Sequence, residues 1–182
     1  MSSSQLQPLI LPFNGIVPRI DPSVFLANAV VIGDVEIGAR SSIWFGVTIR
    51  GDVHSIQIGK GTNIQDGSVV HCTRDRFSTI IGDHVTVGHM ALLHGCVVED
   101  NAFIGMKACI MDGVVVESGA MVAAGALVTP GKRVKAGELW GGSPARFLRP
   151  LTEEDRLMHT RITPSYADMA QIYLGEVGGG PA

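Results

Sequence analysis

Aliphatic residues recur six positions apart along this chain, in blocks that restart after small slips. They are Val31, Ile37, Ile43 and Ile49, then Ile58, Ile64 and Val70, then Ile81 and Val87. An unbroken run follows: Val98, Ile104, Ile110, Val116, Val122, Val128 and Val134. Polar and small residues fill the intervals, and glycine directly follows several rungs, as in Ile37-Gly38, Ile58-Gly59, Ile81-Gly82 and Ile104-Gly105. A hexapeptide period belongs to parallel β-helices. Each hexad supplies a short strand and a corner, so three hexads make one coil of a triangular prism. The periodic aliphatic points inward and stacks on its copy about 4.8 Å away in the next coil. Glycine lets the backbone turn where a side chain would collide. The pattern predicts an all-β solenoid from about Val31 to about Val134.

The flanks read differently. Residues 8–30 form an entry segment with Pro12, Pro18 and Pro22 as turns. A Gly/Pro-rich exit runs from Trp140 to Arg146. Thr152 resembles an N-cap, and Glu153, Glu154 and Asp155 suit the positive end of a helix dipole. The helix is expected to stop or kink near Pro164 and resume over Ser165 to Leu174. Gly178 to Ala182 should be disordered, and Met1 to Gln7, lacking the features of a signal peptide, should be a loose arm. The division is thus residues 1–150, a hexapeptide-repeat domain with an N-terminal arm, and residues 151–182, a helix with a disordered tail.

The slips determine which distant residues become neighbours. Ile49 to Ile58 is nine residues, one hexad plus three; Val70 to Ile81 is eleven, one hexad plus five. Val87 to Val98 is also eleven, two hexads less one, with Leu93 or Leu92 as the rung between. Counting from Val70, Leu93 lies one full coil later. His71 and His94 directly follow these rungs and should stack on one face, with Arg50 in the same column a coil below. Ile64 and Val87 are likewise one coil apart, so Asp66 and His89 should stack on another face, with Gln65 beside them. Within one chain His89 should not reach the other two histidines. A heterologous contact between the two faces would unite them, and such a contact closes after three copies. Three neutral imidazoles with one open position form the ligand set of a catalytic zinc site. His54, His84 and His159 lie outside these columns and read as ordinary histidines.

Composition narrows the setting. The chain has 182 residues, 46% hydrophobic, with 23 glycines and only 5% aromatics, as a narrow solenoid core requires. A net charge of −3 gives no basic footprint, which argues against a nucleic-acid partner. Cys72, Cys96 and Cys109 form no CxxC pair and read as reduced thiols in the core or an interface, with a cytoplasmic location. No apolar run approaches the length of a membrane span.

At the candidate site the sequence resembles the γ-class carbonic anhydrases. The resemblance rests on Arg50-Gly51-Asp52, Asn63-Ile64-Gln65-Asp66 with Val70-His71, Gly88-His89-Met90-Ala91-Leu92-Leu93-His94-Gly95, and Gly141-Gly142-Ser143-Pro144-Ala145. It covers nearly the whole chain. It implies a left-handed β-helix and a homotrimer with metal sites at subunit interfaces. His71 and His94 would come from one subunit and His89 from its neighbour, holding Zn2+ or Fe2+. The implied reaction is reversible hydration of CO2 to bicarbonate. A divalent ion on three neutral ligands brings the pKa of water to about 7, as in zinc carbonic anhydrases of another class. By the same resemblance Gln65 orients the hydroxide. Arg50, Asp52 and Asp66 support the site and link subunits, and Tyr166 faces it from the terminal helix.

One departure bears on turnover. The family archetype carries a longer acidic loop after the first histidine, with a glutamate that exports protons. Here the segment Cys72 to Thr79 has no glutamate, so CO2 hydration would need another proton route. Two other readings stay open: an acyl-CoA-dependent acyltransferase or thioesterase on the same scaffold, and a catalytically silent trimeric assembly module. A transferase should purify without stoichiometric metal; a silent module should hold metal and turn over neither CO2 nor acyl-CoA.

Overall fold

The computed structural model describes residues 7–178, so the expectations for residues 1–6 and 179–182 lie outside the described residues. Parallel strands wind into a three-faced solenoid followed by one helix. An eight-stranded sheet forms one face. A twelve-stranded sheet wraps the other two, because the long strands Val30–Ile37 and Thr48–Ile58 turn a corner and pair on both sides of it. All sixteen periodic aliphatics are at most 3% exposed, and Leu93, at 0%, takes the inferred rung between Val87 and Val98. The register has Ile49 beside Val70, Val70 beside Leu93 and Ile64 beside Val87. The three-residue excess before Ile58 appears as a register shift, with Gly33 opposite Gly51 and Val35 opposite Ile56.

A second inward layer lies two residues before most rungs; it is small where Ala102, Ala108, Ala120 and Ala126 are buried and aliphatic where Val47, Ile56, Val85 and Val114 are. Where this layer is polar, three hydroxyls find a carbonyl in the next coil. Ser41 Oγ donates to Gly59 O at 2.7 Å, Thr62 Oγ1 to Gly82 O at 2.7 Å and Ser68 Oγ to Gly88 O at 3.1 Å. Burial therefore leaves these groups satisfied. Where glycine follows a rung, the coils approach closely. A Cβ at Gly105 would lie 2.5 Å from Ala124 N, so any side chain there would force the coils apart.

Three expectations at the ends are corrected. The entry segment is itself solenoid: Leu9–Leu11 and Arg19–Ile20 pair with Val30–Ile37, and Phe25–Leu26 pairs with Ser42–Ile43. Coil formation also runs past Val134, since Leu139 and Trp140 pair in parallel with Met121 and Val122 before Ala145–Pro150 turns back antiparallel. The helix Glu153–Gly178 is continuous, with Pro164 inside it. Its N-terminus has the anticipated cap: Asp155 N–H donates to Thr152 Oγ1 at 3.2 Å, while Thr152 N–H donates to Asp155 Oδ2 at 2.7 Å. This is a capping box with aspartate in the reciprocal position. The helix packs on the eight-stranded face through Phe25, Trp44 and Ala170, with Tyr166 and Tyr173 against them. Trp44 meets Phe25 and Tyr166 edge to face at 5.1 and 5.2 Å. That aromatic contact offsets the roughly 3 kcal/mol that an interior proline costs a helix.

Candidate metal centre

His71 and His94 are direct neighbours across the strands Val69–His71 and Leu92–His94, as the rung count places them. Their side chains leave the solenoid and converge: His71 Nδ1 lies 3.1 Å from His94 Nε2. The opposite nitrogen of each ring meets a carboxylate. His71 Nε2 is 3.0 Å from Asp52 Oδ1, and His94 Nδ1 is 2.6 Å from Asp112 Oδ1. A carboxylate only accepts, so these two ring nitrogens carry the protons and donate. In the neutral rings the inner nitrogens then hold lone pairs, and the two lone pairs face each other. Such an arrangement calls for a cation between the rings, either a proton or a metal ion. Carboxylates behind ligating imidazoles are the usual support of metal sites, fixing the tautomer and raising ligand basicity. The donor set fits a zinc-like or ferrous ion.

The two carboxylates are themselves held. Arg50 Nη1 donates to Asp52 Oδ2 at 2.6 Å, and Thr73 Oγ1 donates to Asp112 Oδ2 at 2.8 Å. Burial works to raise the Asp52 carboxyl, but hydrogen bonds from Arg50 and His71 and the Arg50 charge keep it below its ordinary range. At Asp112 burial is likewise outweighed by hydrogen bonds from His94 and Thr73. Both carboxylates therefore stay ionised. Thr79, fully buried, clamps the backbone of both histidine turns: its hydroxyl donates to the His71 carbonyl and accepts the Gly95 N–H at 2.9 Å.

His89 repeats the pattern elsewhere. It follows the strand Thr86–Val87 of the eight-stranded face, stacked on Asp66, whose carbonyl accepts the Met90 N–H at 2.8 Å. His89 Nδ1 donates to Asp66 Oδ2 at 2.8 Å, and its remaining lone pair on Nε2 accepts from the Tyr166 hydroxyl at 3.2 Å. Burial raises the Tyr166 phenol above its usual value, with the Asp66 charge acting in the same direction. The hydroxyl therefore remains protonated and able to donate. Among the described residues no three His, Cys, Asp or Glu side chains converge on one point of a single chain. His89 follows a strand of the eight-stranded sheet, whereas His71 and His94 end strands of the twelve-stranded sheet, the two different faces to which the column count assigns them.

Gln65 is 5% exposed and lies on the face of His89; its Nε2 donates to Asn63 Oδ1 at 3.1 Å. Arg50 and Asp52 pair within the chain and brace His71, and Asp66 braces His89. Asp112, Thr73 and Thr79 were not singled out from sequence. Asp112 could have been: Ile110 is the rung one coil beyond Leu93, which places Met111-Asp112 beside His94-Gly95.

A family model described as "Bacterial transferase hexapeptide (six repeats)" matches residues 95–130. Gamma carbonic anhydrase 2, mitochondrial, of Arabidopsis thaliana is 52% identical over 165 residues, covering 87% of this chain and 59% of the relative. The chain therefore spans about six tenths of the length of that curated relative. A carbonic anhydrase of Geobacillus kaustophilus is 46% identical over 166 residues, covering 91% of each chain. Among solved structures, that of a putative acetyltransferase from Bacillus cereus superposes with a TM-score of 0.89 at 40% identity, covering 91% of this chain and 96% of its own.

Proposed function

Because the chain belongs to the γ-class carbonic anhydrase family, we propose that it is a metal-dependent enzyme that hydrates CO2 reversibly to bicarbonate, built as a homotrimer. The observation that carries the reading is the pair of carboxylate-anchored imidazoles whose lone pairs meet at 3.1 Å. His71 and His94 of one subunit and His89 of the next would hold a Zn2+ or Fe2+ ion. When bound, the ion supplies a Lewis acid that makes hydroxide available near neutral pH.

The chain's own residues prepare this chemistry. Asp52 and Asp112 hold the outer N–H of His71 and His94, so each ring offers a lone pair and cannot rotate away. Arg50 fixes Asp52, and Asp66 performs for His89 what Asp112 does for His94. Gln65 spends its NH2 group on Asn63, so its Oε1 is left to accept a hydrogen bond from the attacking oxygen and aim it at CO2. Tyr166 holds the His89 lone pair until the subunits share a ligand set.

The acyltransferase reading draws on the likeness to the putative acetyltransferase of Bacillus cereus, but a transferase has no use for three histidines each braced by an aspartate. Anaerobic purification with metal analysis, followed by CO2 hydration assays of the zinc and iron forms, separates the readings. We expect about one divalent ion per chain and CO2 hydration that disappears in His71→Ala and in His94→Ala. Metal-free protein that consumes acyl-CoA would overturn the proposal. The three unpaired thiols suit a reducing compartment, which we take to be the cytoplasm. Plant relatives carry mitochondrial names, and fractionation of the source cells would decide between the two.

A further inference from the structure

A hydrogen-bond chain leads from buried Gln65, Asn63 and Thr86 of the eight-stranded face to half-buried Thr163 and His159 of the C-terminal helix. Gln65 Nε2 donates to Asn63 Oδ1 at 3.1 Å, and Asn63 Nδ2 donates to Thr86 Oγ1 at 2.9 Å. Thr86 Oγ1 lies 2.9 Å from Thr163 Oγ1 of the helix. Thr163 in turn lies 3.4 Å from both His159 Nε2 and the His159 carbonyl. Asn63, Gln65 and Thr86 are at most 5% exposed, so water does not substitute for these partners.

The direction of every bond in the chain follows from its neighbours. Asn63 Nδ2 also faces the Val85 carbonyl at 3.4 Å, and a carbonyl only accepts, so the amide nitrogen is on that side and the amide oxygen faces Gln65. Thr86 thus receives a proton from Asn63 and must give its own away, and Thr163 is the acceptor within reach. Thr163 then donates to the His159 carbonyl, with the ring Nε2 as a second acceptor at the same distance. Burial holds His159 below the ordinary imidazole range, reinforced by the charge of His84 and opposed by a hydrogen bond to the His84 backbone. The ring is therefore neutral near pH 7 and can accept.

We propose that Thr163 is a positioning residue for Gln65: by accepting the Thr86 proton it fixes the orientation of two successive amides, so that Gln65 presents its oxygen to the candidate metal centre. Without that acceptor, Thr86 would satisfy itself by donating to Asn63 Oδ1 across the 2.9 Å link, a stronger bond than the long 3.4 Å contact with the Val85 carbonyl that opposes the turn. Asn63 would have to turn over, Gln65 would follow, and an NH2 group would face the centre where an acceptor is needed. The terminal helix thereby sets the polarity of Gln65 through two intervening side chains, Thr86 and Asn63. The inference rests on the function proposed above only for its kinetic consequence.

The test uses full-length Thr163→Val, which keeps the shape and removes the hydroxyl, and Thr163→Ser, which restores it. Hydrogen exchange of the Gln65 side-chain NH2 is followed by NMR in selectively labelled protein, its signal identified by loss in Gln65→Glu. Zinc content, kcat and KM for CO2 hydration are measured on the same samples. The expected result is slow exchange in the wild type and Thr163→Ser, and fast exchange in Thr163→Val with zinc content retained. There kcat falls by roughly one to two orders of magnitude, the scale for a misoriented reacting-site contact, while KM changes little. Slow exchange in folded Thr163→Val would overturn the positioning role whatever the activity. Altered exchange in a protein that never hydrates CO2 would uphold the positioning role and reject the carbonic anhydrase reading instead.

Discussion

Asp112 offers a graded test of the candidate centre, because two substitutions remove different parts of the same support. Its Oδ1 takes the His94 Nδ1–H at 2.6 Å and its Oδ2 takes the Thr73 hydroxyl at 2.8 Å. In Asp112→Asn the amide oxygen can keep His94 while the new NH2 donates to Thr73, whose hydroxyl can rotate to accept. The ring stays aimed and only the charge is lost. In Asp112→Ala both contacts vanish and the imidazole is free to rotate and to change tautomer. Loss of such outer support costs metal affinity about 10- to 100-fold. The asparagine variant should sit near the lower figure, about 1.4 kcal/mol, and the alanine variant near the upper, about 2.7 kcal/mol. Competition of each folded protein with a chelator of known zinc affinity measures this directly. Wild-type affinity in both variants would refute the reasoning, and so would equal losses, since the argument separates orientation from charge.

Three further outcomes follow from the same geometry. Thr152→Ala removes the acceptor for the Asp155 N–H and should cost about 1 kcal/mol, seen as a fall in Tm of roughly 2–4 °C by calorimetry; an unchanged Tm would mean that the cap carries no stability. Hydrogen bonds from Arg149 and from Thr152 hold the Asp155 carboxyl far below the carboxylate range. Its stabilisation is therefore complete above the unfolded pKa of about 3.9 and is lost as pH falls through the folded value. In urea titrations the stability deficit of Asp155→Asn should be present at pH 6 and shrink on acidification below pH 4; a deficit that stays constant would contradict this. Tyr166→Phe frees the His89 lone pair that a metal would claim, so zinc affinity should hold or tighten, and a tenfold weakening by chelator competition would show that Tyr166 supports the metal instead.

The interior of the solenoid was legible because one physical requirement, an aliphatic at each inward position, repeats without interruption from Val98 to Val134 and survives three slips before it. The same count placed His94 on His71 and His89 on Asp66, since a register error of one residue would have turned every side chain to the wrong face. The first coil was hidden by its position. Ile10, paired with Val31 at the open end, is 40% exposed, and ten residues including the turn at Phe13–Ile16 separate it from Ile20, so the period fails there. Pro164 read as a break because the aromatic cluster of Phe25, Trp44, Tyr166 and Tyr173 joins residues far apart in sequence. Asp112 lay within reach of the column count one coil further on. The link from Gln65 to Thr163 did not, because no local pattern tells which helix hydroxyl will meet Thr86.

The central claim is that each metal centre is shared by two chains, with His89 of one completing His71 and His94 of another. A His89→Ala chain and a chain carrying both His71→Ala and His94→Ala should each bind zinc poorly alone. Refolded together at equal amounts into mixed trimers, they should regain zinc at roughly a quarter of the interfaces, those pairing an intact His71 and His94 with an intact His89. The account predicts that recovery, measured as zinc retained per trimer against each parent treated identically; mixed trimers that retain no more zinc than their parents would contradict it.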